Sequence, residues 1–131
     1  MDGGRESDVS RVLVIDDDTS LAWIARAALS RFGGHEVETA TTAAAALALL
    51  AERSFDVVLL DAMMPGRDGN SVLESLRERG DGAPPVIMLT ARVSEADRAR
   101  YASLGARGVI GKPFDPRTLA SEVATILETP R

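Results

Sequence analysis

The chain has no cysteine, one histidine, one tryptophan and one tyrosine, and aromatic residues make up only 4% of its 131 positions. Without thiols there is no cysteine nucleophile, no Cys-ligated metal and no disulfide scaffold, and nothing points to an oxidising compartment. Long apolar runs are missing too. The longest, Ala43 to Ala51, falls far short of the roughly 20 residues that span a bilayer. Positive charge is in deficit, with 15 Lys and Arg against 20 Asp and Glu, a formal net charge of −5. That balance argues against direct binding to nucleic acid or to an anionic membrane, since both require a basic face. The first residues hold Asp2, Glu6 and Asp8 and no apolar block, so no signal peptide is expected and a cytoplasmic location is. What remains is ordinary: 45% hydrophobic and 27% charged residues, at the length of one domain able to bury a core. The expected organisation is a flexible leader over residues 1–10, a single domain over 11–128 and a tail over 129–131.

Within that domain, short apolar runs alternate with longer helical patterns. Val12 to Ile15, His35 to Thr39, Val57 to Leu60, Val86 to Leu89 and Val109 to Ile110 are the strand candidates. Three of these are near-continuous Val, Ile and Leu, the pattern of strands buried on both faces. His35 to Thr39 alternates and predicts an edge strand, with His35 on the surface. In the first helix Leu21, Ile24, Ala25, Ala28, Leu29 and Phe32 follow the spacing of one buried stripe, which leaves Trp23 off it, and Gly33-Gly34 ends it. Thr41 or Thr42 caps a second helix to about Arg53, and Asp68-Gly69-Asn70 opens a third that stops before Gly80. Ser94 to Asp97 has capping-box spacing with a shorter acid, for a helix that ends at Gly105. Asp115-Pro116 opens a fifth, with Leu119, Val123, Ile126 and Leu127 as its stripe. Five strand–helix units with right-handed crossovers predict an α/β, flavodoxin-like, doubly wound (βα)5 fold with a parallel sheet in the order 2-1-3-4-5.

In such sheets ligands bind at the carboxyl ends of the strands, and the polar residues stand there. The first strand runs into Asp16-Asp17-Asp18, the third ends at Asp61, the fourth at Thr90, and the fifth at Lys112-Pro113. Like charges about 4 Å apart repel by roughly 1 to 4 kcal/mol per pair, depending on the local dielectric. A hard divalent cation reverses that sign, and oxygen-rich sites with few carboxylates suit Mg2+. Mg2+ in turn neutralises phosphoryl oxygens, while Lys112 and Thr90 can hold the others. One carboxylate is then the nucleophile of an aspartyl-phosphate. Asp61 stands alone before the turn Ala62-Met63-Met64-Pro65-Gly66, which should leave it accessible, and is assigned as phosphoacceptor. Asp16 and Asp17 are assigned as metal ligands. Met63 and Met64 are expected to pack, and Asp18 to start a helix.

These motifs carry a resemblance. Val12-Leu13-Val14-Ile15-Asp16-Asp17-Asp18, Asp61 to Gly69, Val86 to Leu89 followed by Thr90-Ala91, and Gly111-Lys112-Pro113-Phe114 resemble the receiver domain of two-component response regulators, in order and over about residues 11 to 127. The resemblance implies phosphotransfer to Asp61 from a histidine kinase or phosphotransfer protein. It also implies Mg2+ held by Asp16, Asp17, Asp61 and the backbone carbonyl of Met63. Thr90 would rearrange to meet the phosphoryl group, and Lys112-Pro113 would be a cis peptide. The usual output surface of such domains is the fourth helix, fifth strand and fifth helix. The output would reach a downstream protein, or an effector domain of a longer regulator. Three residues before the lysine the family often has an aromatic side chain that turns inward on phosphorylation, and here that position is Val109. The signal then needs another route, through the backbone of the loop after the fourth strand or through Tyr101.

Two other functions fit parts of the pattern. A haloacid-dehalogenase-like phosphatase would use Asp16-x-Asp18 with Thr90 and Lys112, and would be phosphorylated on Asp16. An unphosphorylated pseudo-receiver adaptor would bind its partners without Asp61. Taken alone, the Asp triplet is also a plain solvated turn with a helix cap. The arginines at 92, 98, 100 and 107 are either a solvated face or part of a surface that meets an acidic partner.

Overall fold

The protein is seen in a computed structural model that describes residues 10–64 and 68–128. The strands are β1 (Arg11–Ile15), β2 (Glu36–Ala40), β3 (Val57–Asp61), β4 (Val86–Thr90) and β5 (Gly108–Gly111). The helices are α1 (Thr19–Gly33), α2 (Ala43–Glu52), α3 (Asp68–Arg79), α4 (Glu95–Ser103) and α5 (Leu119–Glu128), with a short 3-10 turn at Gly80–Gly82. All strand pairs are parallel, in the order β2-β1-β3-β4-β5, as the alternation of elements predicts. The expected leader, apart from Ser10, and the expected tail lie outside the described residues, as does the Pro65–Arg67 part of the turn after β3.

The three apolar strands split their side chains between two cores with a period of two, because successive residues of a strand face opposite sides. Leu13, Ile15, Val58, Leu60, Val86 and Met88 face one layer, which α2, α3 and α4 cover with Ala46, Leu50, Val72, Leu76 and Tyr101. Val12, Val14, Val57, Leu59, Ile87 and Leu89 face the other, covered by α1 and α5. Burying each large aliphatic side chain contributes about 1.5–3 kcal/mol, so β1, β3 and β4 anchor the sheet. β2 lies at its edge, with Val37 and Ala40 buried and Glu36 exposed.

Several local expectations need correction. The buried stripe of α1 is Ala22, Ala25, Ala28 and Leu29, while Ile24 and Phe32 are exposed. The helix is apolar around most of its circumference, so two stripes fit the periodicity, and packing beside α5 selects the one with small residues. Trp23 is exposed as expected. His35 is half-buried rather than on the surface, and its Nδ1 is enclosed without a hydrogen-bond partner. Its imidazole fills the space beside Gly33, where a Cβ would stand 2.5 Å from His35 Cδ2.

Helix ends follow the sequence in outline. Gly34 takes the left-handed conformation (φ 68°) and donates its N–H to the carbonyls of Leu29 and Ser30. The hydroxyl of Thr42 accepts from Ala45 N–H, and that of Ser94 from Asp97 N–H. The capping box is only half made, because the short Asp97 side chain accepts from Ser94 Oγ at 2.7 Å. α5 begins at Leu119, later than expected. Asp115 caps a tighter turn instead, accepting from Arg117 N–H while its carbonyl takes the N–H groups of Thr118 and Leu119.

Candidate functional site

The carboxyl ends of β1, β3, β4 and β5 lie along one edge of the sheet. Asp16 follows β1, Asp61 and Thr90 are the last residues of β3 and β4, and Lys112 follows β5. Asp16, Asp61 and Thr90 are the buried polar residues among those described, at 1%, 3% and 0% exposure. Asp17 is exposed. One carboxylate oxygen from each of Asp16, Asp17 and Asp61 lies within 4.8 Å of the others. Residues distant in sequence therefore meet where the strand ends require.

Each buried group is fixed by neighbours. Asp16 Oδ1 accepts from Asp18 N–H at 2.9 Å, and Asp61 Oδ1 from Met63 N–H at 2.9 Å. Thr90 Oγ1 accepts from Arg92 N–H at 3.0 Å. Lys112 Nζ bridges the two buried acids, 2.8 Å from Asp16 Oδ2 and 3.4 Å from Asp61 Oδ1. Asp16 Oδ2 has no well-angled hydrogen-bond donor, so its contact with the ammonium is ionic. Lys112-Pro113 is a cis peptide, as the resemblance implies.

Burial holds the Asp16 carboxyl above its usual range, reinforced by the nearby Asp61 charge, although Lys112 and Asp18 N–H pull it down. For Lys112, burial alone lowers the ammonium, but Asp16 and Asp61 together outweigh it and the net displacement is upward. Three carboxylates and one ammonium leave the cluster net anionic. An all-oxygen set with a buried, poorly satisfied acceptor has the donor chemistry that hard divalent cations require.

Asp16, Asp17, Asp61, Thr90 and Lys112 thus occupy one locality, and Asp18 caps α1 through Ser20 and Leu21 N–H, as expected. Asp61 is more enclosed than the sequence suggests, because the chain folds back and places the Met63 amide on it. Met64 packs in the core, but Met63 does not and is 55% exposed. Two features escaped the sequence reasoning. The Arg92 amide is one, and only its position two residues after Thr90 could have signalled it. The other is that Lys112 is the only lysine among the chain's 15 basic residues, a count that singles out this ammonium without any structure.

Comparison with known proteins follows the same lines. The response regulator receiver domain family matches residues 12–124. The chain is 35% identical over 122 residues to the transcriptional regulatory protein ResD of Bacillus subtilis (strain 168), covering 93% of this chain and 50% of ResD. It is 40% identical over 119 residues to the sensory transduction protein RegX3 of Mycobacterium tuberculosis, covering 91% and 51%. The chain therefore spans about half the length of these relatives. Among solved structures it resembles chemotaxis protein CheY4 of Vibrio cholerae, with a TM-score of 0.81, 31% identity, and 90% and 98% of the two chains covered. It also resembles the receiver domain of Francisella response regulator 1452, with a TM-score of 0.79, 31% identity, and 89% and 95% covered. None of these relatives is a haloacid-dehalogenase-like phosphatase. Among the described residues no helix is long and apolar enough to cross a membrane. The doubly wound sheet, the acids at its strand ends and the match along residues 12–124 agree: the chain belongs to the receiver domain family of two-component response regulators.

Proposed function

We propose that Asp61 accepts a phosphoryl group from a histidine kinase or a histidine phosphotransfer protein. The observation that carries this is the meeting of three carboxylate oxygens within 4.8 Å beside Lys112. In the step, a carboxylate oxygen of Asp61 attacks phosphorus and the P–N bond of the donor phosphohistidine breaks. The donor ring, already carrying a proton on its other nitrogen, leaves as neutral imidazole with the electron pair of that bond. Lys112 holds a phosphoryl oxygen by its charge, and Thr90 turns its hydroxyl to another. Asp16, Asp17, Asp61 and the carbonyl of Met63 would hold Mg2+, which when bound supplies the positive charge that the phosphoryl oxygens need. Asp16 and Asp17 position that charge, and the Met63 and Asp18 amides fix the two buried carboxylates.

Residues 11–128 then work as one switch, a phosphoacceptor that assists its own phosphorylation and turns over no other substrate. Its phosphorylated form acts on a downstream protein or on an effector domain of a longer regulator in the cytoplasm, with no direct contact to nucleic acid. With Val109 in place of a ring on β5, the signal leaves Thr90 through the Arg92 amide and the loop after β4.

Incubation with acetyl phosphate and Mg2+, read by intact mass spectrometry, tests this. One hydroxylamine-labile phosphoryl group should appear and should be absent in EDTA and in Asp61→Asn. An unchanged mass, or a phosphoryl group that survives Asp61→Asn, would overturn the assignment.

A further inference from the structure

Beside the aspartate site, between α3 and α4, lies a cleft of about 270 Å3. Leu73, Met88 and Tyr101 line it from the core, all buried, and exposed Met63, Arg92 and Arg100 line its rim. Its volume is below the roughly 300–1,000 Å3 of small-molecule pockets, and matches one large side chain better. The rim is both apolar and cationic. Met63 is 55% exposed, an apolar group held in water. Among the described residues the Arg92 guanidinium has no ion pair. Arg100 reaches Asp97 only at 3.8 Å and lies 5.0 Å from the Tyr101 ring centroid. Two guanidinium groups above an apolar floor suit a carboxylate joined to an apolar body, because Arg takes carboxylates through paired hydrogen bonds and buried apolar anchors dominate such contacts.

We propose that this cleft docks a partner polypeptide, which inserts one large apolar side chain against Leu73, Met88 and Tyr101. An adjacent carboxylate of the partner meets Arg92 and Arg100. The site lies on the α3 side of α4, apart from the surface formed by α4, β5 and α5. Its rim is also tied to the phosphorylation chemistry. Met63 donates its N–H to Asp61 Oδ1, and Arg92 its N–H to Thr90 Oγ1. Resting on the assignment of Asp61 as phosphoacceptor, phosphorylation replaces the acceptors that fix these two amides. The affinity of the cleft therefore depends on phosphorylation, and an occupied cleft acts back on the phosphoryl group by reciprocity.

Amide NMR spectra of the unphosphorylated protein, titrated with the capped peptide acetyl-Gly-Phe-Glu-Gly-amide, test the docking. Saturable shifts are expected at Met63, Arg92 and Tyr101, with binding at least about fivefold weaker for the Glu-to-Gln peptide and for the Arg92→Gln, Arg100→Gln double variant. No saturable shift at these amides, or equal affinity for the neutral peptide, overturns the proposal. Repeating the titration with acetyl phosphate and Mg2+ should change the affinity by at least about fivefold, the low end of coupling between linked sites, in the wild type and not in Asp61→Asn. Equal affinities in a phosphorylated protein overturn the coupling. A protein that binds the peptide but takes up no phosphoryl group overturns the assignment of Asp61 and leaves the docking site standing.

Discussion

Replacing Asp17 by Asn removes one charge from a crowded anionic cluster while leaving shape and packing nearly unchanged. Asp17 is the exposed member, and its oxygen lies within 4.8 Å of oxygens from both Asp16 and Asp61. At that distance two like charges repel by about 0.9 kcal/mol in a water-like medium and about 3.5 kcal/mol at an effective dielectric of 20. Exposure places Asp17 near the lower figure. Two such pairs, offset in part by attraction to Lys112, leave a net relief of about 1 kcal/mol. For a chain of this size that is a rise of roughly 3–5 °C in Tm. Thermal melts by circular dichroism in EDTA should show it. With saturating Mg2+ the order should reverse. The wild type gains about 2.7 kcal/mol at a metal concentration 100 times its Kd, and the variant has lost a ligand. A variant that melts at or below the wild type in EDTA would refute the repulsion argument. Equal Mg2+ stabilisation of both proteins would refute the role of Asp17 in holding metal.

Replacing Lys112 by Met removes the one cation shared by two buried acids. It should destabilise the metal-free protein by about 3–5 kcal/mol at pH 7, with a deficit that shrinks as pH falls, because burial already holds the Asp16 carboxyl above its usual range and the unpaired acid is relieved by taking up a proton; a deficit that does not change with pH in urea denaturation would contradict this. Gly108→Ala should cost about 1–3 kcal/mol by overpacking, because its Cβ would stand 2.7 Å from Ile126 Cγ2; an unchanged urea midpoint would show that α5 yields. Burial lowers the His35 pKa against the opposing pull of Asp56, so below about pH 6.5 the unfolded chain takes up a proton that the folded chain resists. Stability should therefore fall as pH drops from about 6.5 toward the folded pKa, by at most about 1.4 kcal/mol per pH unit, and His35→Gln should abolish that slope; identical pH profiles would place the titration elsewhere.

The residues that were legible in the sequence are those whose position follows from the sheet alone. Asp16, Asp61, Thr90 and Lys112 each end or follow a strand, so parallel order and the rule for strand ends were enough to bring them together. What was not legible depends on contacts between elements. α1 offered two apolar stripes, and only the approach of α5 selects the one through Ala22. His35 looks like an edge residue until Gly33 leaves a hollow for its ring. Met63 and Met64 are alike as residues, yet Met64 enters the core while Met63 turns out, because the chain folds its amide back onto Asp61. The start of α5 shifted because Asp115 caps a tighter turn first. The docking cleft has no sequence signature, since its lining comes from the loops after β3 and β4, from β4 itself and from two helices.

The most direct test of the central claim is to locate the phosphoryl group by chemistry. After reaction with acetyl phosphate and Mg2+, borohydride reduction converts an aspartyl-phosphate to homoserine, and peptide mass spectrometry finds the altered position. Homoserine at position 61, and nowhere else, is the predicted result. Homoserine at position 16, or no converted aspartate in protein that has been shown to be folded, would contradict the account.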